Sequence, residues 1–296
     1  MTAEHVEPRG AAEGGPTGAA VATPIIEARG ISKHFGLVHA LRGVDLKLMP
    51  GEVLGVVGDN GAGKSTLMKI LSGLLPPSGG ELLVDGQPTQ FSSPRDARNL
   101  GIEMVYQDLA LAENMRIDEN IFLGREPTRR MLGLIPLVDH SANKALAKEH
   151  LDRLRISVKS VSQRVEELSG GQRQAVAIAR ATAFRAKVVI MDEPTAALAV
   201  REVGKVLDLI KDLKNHGISV ILISHRMDDI FYVADRVMAL FHGRNFAEAP
   251  LSRIDRDDVV GWIMGTRNSH PDPGEKDDGG VVSGSASEAG RAAETS

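Results

Sequence analysis

The sequence predicts an α/β fold: a mainly parallel sheet covered by helices on both faces, a small antiparallel part near the N-terminus and a helical lobe inserted in the middle. Three observations lead there. Glu52-Val53-Leu54-Gly55-Val56-Val57 is a short apolar run without alternation, as a strand buried on both faces requires, and it runs into a glycine-rich loop and a helix-like segment. From Lys187 onward, strand-like and helix-like segments alternate. Before Gly51 the strand-like segments follow one another too closely for intervening helices.

In chain order, the first two dozen residues are rich in Ala, Gly, Pro and Glu and read as a disordered tail, taken as 1–23. Order should begin near Pro24, where IIEARGISKHFG alternates as a strand does, and Val38 to Leu48 is a second strand closed by the Pro50-Gly51 turn. After Val57 and its loop, Ser65 to Ser72 reads as helix. Leu82 to Val84 with Asp85-Gly86 reads as strand and turn. Ser93-Pro94 opens a helix, with a capping hydroxyl and a proline at the first helical position. Ile102 to Tyr106 is a strand. From Asp108 to Leu168 the pattern is mostly helical, with Leu146, His150, Leu151 and Leu154 on one face. Lys187 to Met191 is a buried strand; Val203, Val206, Leu207, Ile210 and Leu213 form the apolar face of a helix that Gly217 ends. Ile218 to Ile223 and Arg236 to Phe241 are further strands, and 266–296 is a Gly, Ser, Ala and acid tail, expected to be disordered. No internal repeat is visible, so one domain is expected over 24–265, its helical subdomain at about 108–170.

Composition narrows the function. No apolar run reaches the roughly 18 to 20 residues of a membrane span. The N-terminus carries acids and no apolar core of a signal peptide, so a cytoplasmic location is expected. With no cysteine, disulfides, thiolate metal sites and thiol catalysis are excluded. A net charge of −4 gives no support to a nucleic-acid partner.

Chemistry enters at Gly58-Asp59-Asn60-Gly61-Ala62-Gly63-Lys64-Ser65, which fits G-x-x-x-x-G-K-S between a buried strand and a helix. Glycines let the backbone turn successive N–H groups inward, and the helix start, with Thr66 next in line, adds positive potential for an anion. Lys64 should reach the β- and γ-phosphates of a nucleotide and Ser65 should ligate Mg²⁺. Alone, this loop admits kinases, GTPases and many others. Val188-Val189-Ile190-Met191-Asp192-Glu193 is an apolar strand ending in two acids, at the end of a parallel strand where α/β proteins bind ligands. Asp192 should hold Mg²⁺, and Glu193 should orient and polarise the attacking water.

Leu168-Ser169-Gly170-Gly171-Gln172, followed by RQAVAIARA, is the most specific feature. Ser169 and the glycine N–H groups precede a helix expected to run through Ala183, a second anion site. On this motif the chain resembles the ABC ATPases from about Ile25 to Gly265. The resemblance implies a P-loop NTPase cassette with a RecA-like core, a small antiparallel β subdomain and an inserted helical subdomain. It implies ATP and Mg²⁺ as cofactors, and two copies paired head to tail, each lending Ser169, Gly170, Gly171 and Gln172 to the other's ATP. It further implies that Gln107 contacts Mg²⁺ or its water, that His225 contacts the γ-phosphate and holds Glu193 and water in place, and that Phe35 stacks on adenine. Lys64, Glu193 and His225 are thus the expected catalytic residues. There is one departure: Ala199 stands where the family usually has the aspartate that ends the D-loop, which puts a polar contact across the dimer in doubt.

ISKHFGLVHALRGVDL, GDNGAGKSTLMKILSG and IEMVYQDLALAENMRIDENIFLGRE look like cassettes of bacterial monosaccharide importers, in particular single-cassette, fructose-type ones. That resemblance implies transmembrane permease subunits as partners, a solute-binding protein beyond them, and a peripheral position on the cytoplasmic face of the cell membrane. A cassette for another solute and an ABC ATPase with no membrane partner remain the alternatives. Nothing in the cassette selects the sugar.

Overall fold

The computed structural model describes residues 23–131 and 135–266. The segments expected to be disordered, 1–23 and 266–296, lie outside these except for Thr23 and Thr266. In chain order the elements are β1 (Ile26–Phe35), β2 (Val38–Leu48), β3 (Val53–Val57), α1 (Lys64–Leu71), β4 (Gly79–Val84), β5 (Gln87–Thr89), α2 (Pro94–Asn99), β6 (Ile102–Val105) and α3 (Ile117–Phe122). They continue with β7 (Thr128–Met131), β8 (Ile135–Val138), α4 (His140–Arg153), α5 (Gly170–Thr182), β9 (Val188–Asp192), α6 (Val200–Asn215), β10 (Ser219–Ile223), α7 (Met227–Val233), β11 (Arg236–Phe241), β12 (Arg244–Pro250) and α8 (Arg256–Ile263).

The central sheet has the order β12-β11-β3-β10-β9-β6. Its five strands from β11 to β6 are parallel, and β12 pairs antiparallel at one edge. Alternate residues of these strands serve two separate cores. Val53, Val57, Val189, Met191, Val220 and Leu222 pack toward α3 to α8. Leu54, Val56, Val188, Ile190, Ile221 and Ile223 pack toward α1, α2 and the second sheet. Side chains of successive residues point to opposite faces, and both faces are covered, so these strands read as continuous apolar runs. The second sheet, of order β2-β1-β4-β5, is antiparallel, as expected for the region before Gly51.

The register lines up the carboxyl ends. Val56 pairs with Ile223, Ile223 with Asp192, and Val105 with Met191. The loops leaving β3, β10, β9 and β6 therefore start side by side, where open parallel sheets bind ligands.

Residues 108–168 depart from the mostly helical expectation. Among the described residues they hold α3, α4 and a short 3-10 turn at Val165–Glu167, with the β7–β8 hairpin between. Pro136 argues against a strand in the sequence, yet in a two-stranded hairpin every position is an edge, where proline is tolerated. Leu146 is not on the buried face of α4 but 43% exposed. The buried stripe is Asn143, Ala147 and Leu151, continuing to Leu154, and Asn143 Nδ2 donates to Asp118 O at 3.1 Å. A buried amide in the stripe is what apolar periodicity misses. His150 does face inward, its Nε2 2.9 Å from Ala179 O on α5, and burial pushes its imidazole below the usual histidine range.

Candidate functional site

The loop between β3 and α1 depends on its glycines. Gly58 has φ +146°, and a Cβ there would lie 2.3 Å from Leu240 O. Gly63 has φ +104°, with the Ala40 carbonyl oxygen 2.8 Å from where a Cβ would be. Between them Ala62 is buried; its N–H donates to Asp59 O at 3.1 Å and its carbonyl accepts from Gly243 N at 3.0 Å. Asp59, Asn60 and Gly61 are exposed at the rim. Gly58→Ala is expected to lower stability by about 1–3 kcal/mol, because a backbone oxygen cannot yield as a side chain does. Urea unfolding measures this; an unchanged midpoint would contradict the packing described.

Gly63 caps α1 with no side chain, and no acid stands in the first turn. The first N–H groups of the helix, at Lys64, Ser65 and Thr66, therefore have neither an intrahelical acceptor nor a capping carboxylate, an arrangement suited to phosphate. Lys64 Nζ donates to Gly58 O at 2.7 Å and to Asp59 O at 3.0 Å, so the ammonium sits inside its own loop. Burial pushes it below the ordinary lysine range, against the pull of Glu193, Asp192 and Asp59.

Asp192 ends β9 and is half-buried. Burial raises its carboxyl, a hydrogen bond from the Ser65 hydroxyl lowers it, and the neighbouring Glu193 raises it again. Glu193 has φ +52°, a left-handed conformation uncommon for a residue with a side chain, and its N–H donates to Ile223 O at 3.0 Å. His225 follows β10, and its Nδ1 lies 2.7 Å from Glu193 Oε2, although the donor is not aligned for a hydrogen bond to that oxygen. Behind this pair, Thr195 Oγ1 donates to the buried Asp229, which also faces Arg226 Nε at 3.4 Å.

Gln107 is exposed two residues beyond Val105, at the end of the strand beside Asp192. The segment after it is tethered to α5: Arg180 donates to Leu109 O at 2.7 Å and Ala110 O at 2.6 Å. Phe35 is 48% exposed at the tip of the β1–β2 hairpin, with Lys33 Nζ 5.4 Å from its ring centroid. Through Ala40 and Leu41, β2 packs against the phosphate loop.

Ser169, Gly170, Gly171 and Gln172 form a separate group. Ser169 Oγ accepts from Gln172 N at 3.3 Å while Gln172 Oε1 accepts from Ser169 N at 3.2 Å, a reciprocal capping box. Their other close contacts go to Glu202, Leu198 and Ser157. Sequence reading missed Glu202, Arg180, Thr195 and Asp229. Only Glu202 left a signal, an acid at the third position of a helix whose cap, Ala199, has no side-chain acceptor.

The donors fit a magnesium ion. Ser65 and Asp192 offer two oxygens on one spot, and the Asp192 carboxylate is raised by burial, which a nearby cation would relieve. Among the described residues no group of three or more His, Asp or Glu could cage a metal. Magnesium suits such a place because it keeps waters and takes ligands from substrate phosphates.

Residues 41–196 match the family described as ABC transporter. The chain belongs to the ABC transporter family. It is 46% identical to the fructose import ATP-binding protein FrcA of Rhizobium meliloti, over 82% of this chain and 95% of that protein. It is 44% identical to the ribose import ATP-binding protein RbsA 3 of Rubrobacter xylanophilus, over 84% of this chain and 50% of that one, so it spans about half the length of that relative. The fold resembles MJ1267, an ATP-binding cassette of an ABC transporter in its ADP conformation, with TM-score 0.71 and 28% identity over 82% of this chain and 99% of that one. It also resembles MJ0796, a bacterial ABC transporter cassette solved as a dimer, with TM-score 0.65 and 26% identity over 76% and 98% of the two chains. The loop Gly58–Ser65 lies within the matched region. Among the described residues no helix is long and apolar enough to cross a membrane.

Proposed function

We propose that this cassette is the ATP-hydrolysing subunit of an importer for a monosaccharide. Two copies would work head to tail on the cytoplasmic side of permease subunits, which receive sugar from a solute-binding protein. The observation that carries hydrolysis is the 2.7 Å approach of His225 to Glu193 beside Asp192, Ser65 and Lys64. The sugar assignment rests on the fructose and ribose import relatives.

In this reading the first N–H groups of α1 and the Lys64 ammonium hold the β- and γ-phosphates. Phe35 stacks on adenine. Ser65, Asp192 and Gln107 hold magnesium, which supplies charge neutralisation on the phosphates when bound. Glu193 orients a water and accepts its proton as the new P–O bond forms and the β–γ bridging P–O bond breaks, leaving ADP and phosphate. His225 fixes the Glu193 carboxylate and faces the γ-phosphate. Ser169 to Gln172 reach the nucleotide of the partner copy, in keeping with their close contacts to Glu202, Leu198 and Ser157. A cleft of about 340 Å³, bordered by Arg98, Glu103, Tyr106, Leu123 and Arg125, lies between β6 and the helical lobe. We assign the permease contact to this cleft because Arg180 ties its wall to the segment after Gln107.

Ser169→Arg is expected to leave ATP binding to a single chain within about twofold and to lower hydrolysis by about a hundredfold or more, since it acts across the pair. Normal turnover in that variant contradicts the head-to-tail arrangement. Transport itself is tested by placing Glu193→Gln in the chromosomal gene of the source cell and measuring uptake of labelled monosaccharides. Loss of uptake of one sugar, with others retained, is expected. Unchanged uptake of every monosaccharide rules out this assignment.

A further inference from the structure

The N-terminus of α5 is already occupied by an acid of the same chain. Glu202, in the first turn of α6, lies across it: a Cβ on Gly171 would be 2.8 Å from Glu202 Cβ and 3.1 Å from both Cγ and Cδ. A Cβ on Gly170 would be 3.5 Å from Glu202 Oε2. The two glycines thus leave room for this side chain. Its carboxylate accepts from the Ser169 hydroxyl, from the Gly171 N–H and from the Ala199 N–H at the start of its own helix. These bonds, that of Ser169 foremost, hold the carboxyl below the usual glutamate range, so it is an anion at neutral pH.

We propose that Glu202 stands in for a phosphate: in the single chain its carboxylate fills the anion site formed by Ser169 and Gly171, and it must leave when the partner copy's nucleotide arrives. This rests on the head-to-tail reading above. Two anions cannot share one hydroxyl and one N–H without strong repulsion. Closure therefore includes the cost of moving Glu202, and the apparent affinity for ATP in the closed pair falls by the fraction of chains in which the site is open. A way out exists on α6 itself: Lys205, one turn on, already attracts the carboxylate, and the Ala199 N–H can keep one oxygen. Glu202 is thus a positioning residue that sets how much ATP closes the pair. The absence of an acid at Ala199 leaves the capping of α6 to Glu202, which couples the D-loop to the signature helix within one chain.

The test uses the full chain in the Glu193→Gln background, so that hydrolysis does not intervene. ATP-dependent dimerisation is followed by sedimentation with and without Glu202→Gln. Glutamine keeps the capping hydrogen bond but not the charge. The double variant should reach half-dimer at about three- to tenfold less ATP. The affinity of the monomer for ATP should be unchanged, and the urea midpoint should fall slightly, because the amide gives up the charge that Ser169, Gly171 and Lys205 favour. If Glu193→Gln dimerises with ATP but the double variant needs as much ATP or more, the stand-in role is overturned while the head-to-tail reading survives. If Glu193→Gln alone fails to dimerise, the head-to-tail reading is overturned and this inference falls with it. In the otherwise native chain, Glu202→Gln should lower the KM for ATP and leave kcat within about twofold.

Discussion

Glu193→Gln is expected to lower ATP turnover by about 10²- to 10⁴-fold while ATP still binds. Glutamine preserves the size of the side chain and the left-handed backbone at φ +52°, which the N–H bond to Ile223 O holds. What is lost is the ability to take a proton from water. The amide also alters the 2.7 Å meeting with His225 Nδ1, so the histidine loses its anionic neighbour. The phosphate loop, Lys64 and Ser65 are untouched, and nucleotide affinity should change by less than about threefold. With closure favoured by ATP and no hydrolysis to reverse it, the variant should accumulate as a dimer. Single-turnover hydrolysis with equilibrium nucleotide binding separates the two effects. Residual turnover above about a tenth of native would take the general-base role away from Glu193.

Lys64→Ala should affect both steps. In the structure the ammonium is drawn into the loop by Gly58 O and Asp59 O and faces Glu193 and Asp192. Removing it leaves two buried or half-buried carboxylates without their cation and the β- and γ-phosphates without a charged donor. A hydrogen bond to a charged group contributes about 1.5–3 kcal/mol, so ATP affinity should fall by roughly 10- to 150-fold. Hydrolysis should fall by at least about 10²-fold, as when a donor to a developing negative charge is removed. Native-like binding with native-like turnover in this variant would falsify the assignment of Gly58–Ser65 as the phosphate site.

The parts of the fold that were legible in the sequence are those whose burial is complete on both faces. β3 and β9 have no polar residue to confuse the reading until the site itself begins at Gly58 and Asp192, and β10 has only Ser219, at its first position, before Ser224. The helix face Val203, Val206, Leu207, Ile210 and Leu213 is buried as its spacing requires. The phosphate loop, the two acids and the signature were visible because glycine, lysine and carboxylates are needed there in a fixed order along the chain. The β7–β8 hairpin was hidden by Pro136, and the buried face of α4 by Asn143, whose amide nitrogen donates to a backbone carbonyl in α3 while its oxygen is buried without a hydrogen bond. β12 follows a two-residue turn, His242-Gly243, in which both residues have positive φ, a hairpin signal that is weak with histidine in the first place. Glu202 could not be assigned a partner from spacing, because Ser169 and Gly171 lie more than thirty positions away and only packing of α5 on α6 joins them.

If ATP closure of this cassette drives a membrane permease, the closed form holds that permease. Tagged Glu193→Gln would be produced in the source cell, supplied with ATP, and recovered from solubilised membranes. A polytopic membrane protein is expected to co-purify in ATP and to be lost when the same preparation carries Ser169→Arg as well. Recovery of the cassette with soluble proteins alone, and none from the membrane in either preparation, would contradict it.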